Sequence, residues 1–332
     1  MIMANEIYND EFYNEEQKLR FLQDFTQNTY GVFSRVLKRA GRMEKNYSKD
    51  LYNFNLAEIE ELLNYLSPKT VQASITNGAT IEGYIRWAIS QDLRDNKLNP
   101  LSPVSDTEYY KSFVDKTNKL IFSEDEINKI VYGLPSRQDA VIVQAIFEGI
   151  MGRDNSELLN LKISDLDAIN KTILLKNINK YGTEELRKVT ITEQLVRIIQ
   201  EANEETVYKS ILSAGGRDKK LVPSSYVIKG AGKAYKDDGQ TSAHTIRQRI
   251  KVIGLMEGYN YLNPINIRNS GMLKMAKDIY KTSKKLQRDE IEAICRHFNV
   301  GLAKDGVNIM STIYTREFLN LETLLNKYPN LE

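Results

Sequence analysis

Residues 172–192 read TILLKNINKYGTEELRKVTIT, a β pattern inside a chain of otherwise helical character. TILLKNI (172–178) and LRKVTIT (186–192) are rich in Ile, Leu, Val and Thr. The polar NKYGTEE between them predicts a hairpin with a loop longer than the tight two-residue type. Before it, IFSEDEINKIVYGLP (121–135) carries Ser123 as an N-cap with Glu126 at the capping-box position. The apolar helix DAVIVQAIFEGI (139–150) follows, and from residue 193 the pattern is again mostly helical.

The first hundred residues read as all-helical. NFNLAEIEELLNYLSP (53–68) aligns Ile59, Leu62, Leu63 and Leu66 on one face, with Asn55 and Glu58 spaced as a capping box. Ser67-Pro68 predicts the start of a second helix, with Val71, Ile75, Gly78, Ile85 and Ala88 on its buried side. Its first turns expose Lys69, Thr70, Gln72, Ser74, Thr76 and Asn77, short polar groups suited to phosphates and base edges. FSRVLKRAGRMEKNYSK (33–49) is a basic patch that includes Arg35, Lys38 and Arg39. For both stretches two readings stand, a phosphate-facing surface or an ordinary solvated helix face. NKLNPLSPVSDTEYYKS (96–112) has little periodicity. The expected layout is a helical domain at 1–100, a linker at 101–120 and a larger α-rich domain with one small sheet at 121–332. Two such lobes suit a clamp around a rod-shaped ligand.

Composition excludes several classes. A chain of 332 residues with 41% hydrophobic and 27% charged residues forms packed cores and is not a disordered protein. The acidic, polar N-terminal stretch does not read as a signal peptide, and no apolar run approaches the about 18 residues of a membrane helix. Cys295 is the single cysteine, which excludes an internal disulfide and fits a reducing cytoplasm. With only His244 and His297 beside it, a Cys/His zinc site is excluded, whereas a carboxylate-held magnesium site stays open. No GxxxxGK[ST] loop is present, which removes a P-loop reading. No cofactor and no metal are expected.

Five segments, in order, resemble the tyrosine recombinase (phage integrase) family. SPKTVQASITNGATIEGYIRWAISQDLRDNKLNP (67–100) is similar to its helical core-binding domain, and EGIMGRDNSELLNLKISDLD (148–167) to the region of its first catalytic arginine. KYGTEELRKVTIT (180–192) resembles the hairpin that bears its lysine. INIRNSG (265–271) sits at its His-x-x-Arg box, and IEAICRHFNV with STIYTREFL resemble its final histidine and tyrosine. The resemblance implies a mainly α, two-domain clamp on double-stranded DNA. It also implies a 3′-phosphotyrosyl intermediate made by Tyr314, with Arg268 gripping the phosphate, His297 assisting and Lys180 protonating the leaving oxygen. Lys176 and Lys188 compete with Lys180 for that place. Ionising a tyrosine at neutral pH costs roughly 4 kcal/mol, so these partners carry the chemistry.

Two positions depart from the family pattern. Ile265 stands where the box has histidine, and isoleucine neither donates nor accepts a proton. The first arginine falls on Met151, so Arg153 substitutes only if a local bulge corrects about 200° of helical rotation. The spacing from His297 to Tyr314 is also long, with GLAKDGVN (301–308) and KTSKKLQRDE (281–290) reading as insertions.

The resemblance extends to the recombinase-like master repressors of SPβ-type phages, where such a clamp serves lysogeny. The expected function is a sequence-specific DNA-binding repressor with a degraded active site. The alternative is an active site-specific recombinase. SAHTIRQRIKVI (242–253), capped by Ser242, adds a basic helix with Arg247 and Arg249 that suits a major groove. The C-terminal LETLLNKYPNLE is expected to dock on a neighbouring copy on DNA, as the tails of the family do. The expected location is the cytoplasm of a bacterial host, on the nucleoid.

Overall fold

The computed structural model describes residues 11–94, 96–104, 106–115, 120–179, 181–211, 218–231, 238–259, 261–302 and 308–331. The chain divides into two compact units, Met1–Asn118 and Lys119–Glu332.

The first unit is helical: α1 (Glu15–Leu22), α2 (Gln27–Tyr47), α3 (Leu56–Leu66), α4 (Val71–Ser90) and α5 (Thr107–Ser112). The capping box of α3 forms as its spacing predicts, Asn55 accepting from the Glu58 N–H and Glu58 from the Asn55 N–H. Helix α4 begins later than Ser67-Pro68 suggests, because Thr70 caps it by accepting from the Ala73 N–H. Ile59, Leu62, Leu63, Leu66, Ile81 and Ile85 form the core. The proline-bearing stretch after residue 100 is not a free linker: Leu101, Tyr110 and Phe113 are buried in the same core. Gly78 makes that possible, since a Cβ there would lie 2.1 Å from the Tyr110 ring. Beneath α1, the fully buried Lys18 ammonium meets Glu44 at 2.7 Å and Asp50 at 3.1 Å. The Tyr84 hydroxyl accepts from it at 3.2 Å.

The second unit opens with α6 (Glu124–Gly133), α7 (Arg137–Phe147) and the one-turn α8 (Ser156–Leu159). A three-stranded antiparallel sheet follows, β1 (Leu166–Asp167), β2 (Thr172–Ile178) and β3 (Glu184–Thr190), in the order β1-β2-β3. The hairpin is therefore the predicted one, with β3 starting two residues earlier than the sequence suggests. Helix α9 (Glu193–Glu204), the short pair β4 (Val207–Tyr208) and β5 (Lys219–Lys220), α10 (Ala243–Met256), α11 (Pro264–Ser283), α12 (Arg288–His297), α13 (Thr312–Glu317) and α14 (Leu321–Lys327) complete it. Helix α7 is buried along its whole length and is the axis on which α6, α9 and α11 pack.

The C-terminal segment packs on its own unit. Leu319, Leu324 and Leu331 join Met272, Leu273 and Ile294 in one core. Lys327 meets Glu126 at 3.0 Å, and Lys284 donates to the Leu331 carbonyl at 2.7 Å. Leu324 and Leu331 of the tail are thus used within the chain, while Leu321 is exposed.

Candidate functional site: an arginine–tyrosine cleft

The first-arginine region contains a bulge between α7 and α8. After α7 the chain turns through Gly149 (φ 96°) and Gly152 (φ 69°). It then holds Asp154 (φ 51°) and Asn155 (φ 65°) in the left-handed region before α8 starts. Among non-glycine residues, Asp and Asn enter that region most readily, and the turn here is held in place by its surroundings. Asn177 on β2 holds it. Its Oδ1 accepts from the Arg153 N–H at 2.9 Å and from Ser156 Oγ at 2.7 Å, and its Nδ2 donates to Glu185 at 3.1 Å. Gly152 is required twice over, by its φ and because a Cβ would lie 2.6 Å from Ser156 Oγ.

This bulge forms one wall of a cleft of about 500 Å³ lined by Met151, Arg153, Arg268 and the 298–302 segment, among others. Arg268, one turn after Ile265 on α11, points into it, and burial holds its guanidinium below the ordinary arginine value. Its guanidinium donates to Asn269 Oδ1 at 2.9 Å and lies 6.0 Å from the centre of the Tyr314 ring. Burial raises the Tyr314 phenol above its ordinary value, while Arg268 and the Gly301 N–H pull it back. Two carboxylates, Asp154 and Glu185, line the same cleft as the two arginines, so its cationic charge is offset. Asp154 lies 3.8 Å from Arg153 and 4.0 Å from Arg247.

His297 does not join this group. Its Nε2 lies 2.9 Å from the Glu148 carbonyl, which can only accept, so the ring donates its proton there. Burial, aided by Arg187, holds the imidazole below its ordinary value despite the Glu148 carbonyl. A neutral ring whose one N–H is engaged has no donor left for a phosphate. It opens instead onto a second pocket, with Gln144, Thr192 and Lys274. Ile265 is 54% exposed, hydrocarbon in water where the box has histidine. Lys180 lies outside the described residues. Lys176 and Lys188 alternate with Leu175, Arg187 and Val189, and so project from the outer face of the sheet.

One group at this centre is marked by no motif. Arg187 on β3 makes a two-pronged contact with the fully buried Glu157, at 2.6 and 2.7 Å. It also donates to the His297 carbonyl at 2.5 Å and the Gly149 carbonyl at 2.7 Å. A single side chain thereby ties the sheet, α8, the bulge and the end of α12 together. The available signal was an arginine on the inward face of a strand, two residues before the buried Val189.

The residues expected to meet DNA are distributed over several places. Arg35, Arg39, Lys69, Thr70 and Asn77 come together along one groove of about 370 Å³ in the first unit. Within it, Lys69 is ion-paired with Asp115, and Arg39 donates to the Leu66 carbonyl at 2.9 Å, closing the C-terminal end of α3. Lys38 lies 5.2 Å from the Phe12 ring. Arg247 is exposed beside Asp154 at the cleft rim. Two expectations are corrected. Ser74 is fully buried, because α4 packs on that face, and Arg249 is buried beside Asp139 rather than on the basic face of α10.

Comparison with known proteins places the chain. Residues 121–329 match the family described as "MrpR, C-terminal catalytic domain", and residues 12–91 that described as "MrpR, N-terminal core-binding domain". The chain belongs to the MrpR family, with the tyrosine recombinase fold. A relative described as "SPbeta prophage-derived uncharacterized protein YopR" of Bacillus subtilis (strain 168) is 28% identical over 321 residues, covering 95% of this chain and 96% of that protein. Among solved structures, XerA recombinase is 16% identical, with a TM-score of 0.42 and coverage of 96% and 98% of the two chains. XerH recombinase bound to palindromic difH is 12% identical, with a TM-score of 0.48 and coverage of 90% and 78%. Among the described residues no helix is long and apolar enough to cross a membrane.

Proposed function

We propose that this protein is a sequence-specific double-stranded DNA-binding regulator, a prophage repressor built on a tyrosine recombinase fold whose strand-cleaving chemistry has lapsed. The observation that carries this reading is the Arg268–Tyr314 pair without a histidine at hand. Ile265 precedes Arg268 by one turn, and the one N–H of His297 is given to the Glu148 carbonyl. Transfer of the tyrosine proton and stabilisation of a pentavalent phosphate both need positioned donors and acceptors, each worth about a hundredfold or more in rate. A cation such as Arg268 still holds a phosphate without reacting. The grouping of Arg35, Arg39, Lys69, Thr70 and Asn77 supports backbone contact by the first unit. The prophage origin in the name of the B. subtilis relative fits the regulatory role.

A second reading, active recombination through a 3′-phosphotyrosyl bond, is favoured by the approach of Arg268 to Tyr314. A trapping assay separates the two. DNA selected by binding from a random-sequence pool is nicked, incubated with the protein, and run on native and SDS gels from the same tubes. A gel shift with no SDS-stable adduct supports the regulator. An adduct that disappears in Tyr314→Phe supports the recombinase, and absence of any shift removes both.

A further inference from the structure

Another pocket of the larger unit, distinct from the one beside His297, carries chemistry that the DNA reading does not use. It has a volume of about 280 Å³, near the lower end of the about 300–1,000 Å³ typical of small-molecule sites. Arg249 enters it from α10 and is 8% exposed. Its guanidinium carbon lies 4.5 Å from the centre of the Tyr208 ring. Asp139, fully buried, is its counter-ion, but Nη1 and the carboxylate are 3.8 Å apart, beyond hydrogen-bond reach. Tyr208 donates to the other oxygen, Oδ2, at 3.0 Å. The result is two buried atoms without a hydrogen-bond partner, Arg249 Nη1 and Asp139 Oδ1. Such vacancies are uncommon in native interiors, and a charged donor left unbonded is costly.

The remaining walls suggest what completes the site. Ile211, Ala231 and Val252 supply apolar surface, and the exposed Lys219 on β5 puts a second cation at the rim. We propose that this pocket binds a small monocarboxylate with a compact apolar body. One carboxylate oxygen lies against the Arg249 guanidinium, the Lys219 ammonium neutralises the other, and the body lies against the three aliphatic side chains. A guanidinium already held against an aromatic ring is pre-organised for a carboxylate, which it binds more directionally than an ammonium does. The site does not depend on the DNA reading. It does offer that reading an input, because Arg247 on the same helix lies 4.0 Å from Asp154 at the cleft rim.

The test is thermal denaturation of the full chain with sodium benzoate, sodium isovalerate, benzamide and inorganic phosphate as separate probes. Benzoate or isovalerate is expected to raise the melting temperature of the larger unit saturably by a few degrees, and benzamide not at all. The shift is expected to vanish in Lys219→Met, a surface change. It should also vanish in Arg249→Met/Asp139→Asn, a pair chosen so that no buried charge is left alone. Circular dichroism checks that both variants fold. No response to either carboxylate means that water satisfies the two atoms, and overturns the proposal. A response retained in the variants places binding elsewhere, and an equal response to phosphate makes the pocket a phosphate subsite; both also overturn it.

Discussion

Replacing Arg187 with methionine removes the group that ties the sheet to the site. Methionine keeps most of the volume but abandons Glu157, which is fully buried and receives two contacts from Arg187, at 2.6 and 2.7 Å. Among the described residues, the only other donor to that carboxylate is the Met151 N–H, at 3.1 Å. The carbonyls of His297 and Gly149 lose a donor as well. Removing one partner of a buried ion pair typically costs about 3–5 kcal/mol, because the other charge stays in low dielectric. For a unit the size of 119–332, that corresponds to a fall in melting temperature of roughly 6–20 °C. Arg187→Met/Glu157→Gln removes both charges and should recover much of the loss, giving a coupling of about 2 kcal/mol or more. The assay is guanidinium unfolding followed by circular dichroism. Trp87, the single tryptophan, reports on the first unit alone and should be unchanged. A loss below about 1 kcal/mol, or a double variant as unstable as the single one, would refute the tie.

Three further outcomes are expected. Gly78→Ala drives a methyl into the Tyr110 ring, 2.1 Å away, and should destabilise the first unit by about 1–3 kcal/mol, read from Trp87 fluorescence. Glu44, pushed up to about 7 chiefly by burial against the pull of Lys18, binds a proton more tightly folded than unfolded. Its contribution therefore makes the first unit less stable as pH rises from the ordinary glutamate range to about 7, after which it levels; Glu44→Gln should flatten that slope, and an unchanged slope would contradict it. If about six phosphates are contacted, log K should fall with log salt at a slope near −5, and Arg35→Glu or Arg247→Glu should weaken binding and make the slope shallower by about 1 or more. A flat salt response would remove the DNA reading.

The sequence by itself determined several of the elements and their order. Helical periodicity, two capping boxes and one β pattern placed α3, α6 and the β2–β3 hairpin within two residues, because each depends on neighbours close along the chain. It also identified Ile265 and the displaced arginine region, since a missing proton donor is a property of composition. The tertiary structure alone decided which polar groups face water. Lys69 and Arg249 read as free cations until Asp115 and Asp139 are seen beside them. Ser74 reads as exposed until α4 turns that face inward. His297 has the right type and order for the site, yet its proton goes to Glu148, 149 residues earlier in the chain. Arg187 reaches partners 30 and 110 residues away, Glu157 and the His297 carbonyl. Periodicity shows that a residue lies on a given face but not what packs against it, and such long-range partners set the charge, protonation and reach of every group at this site.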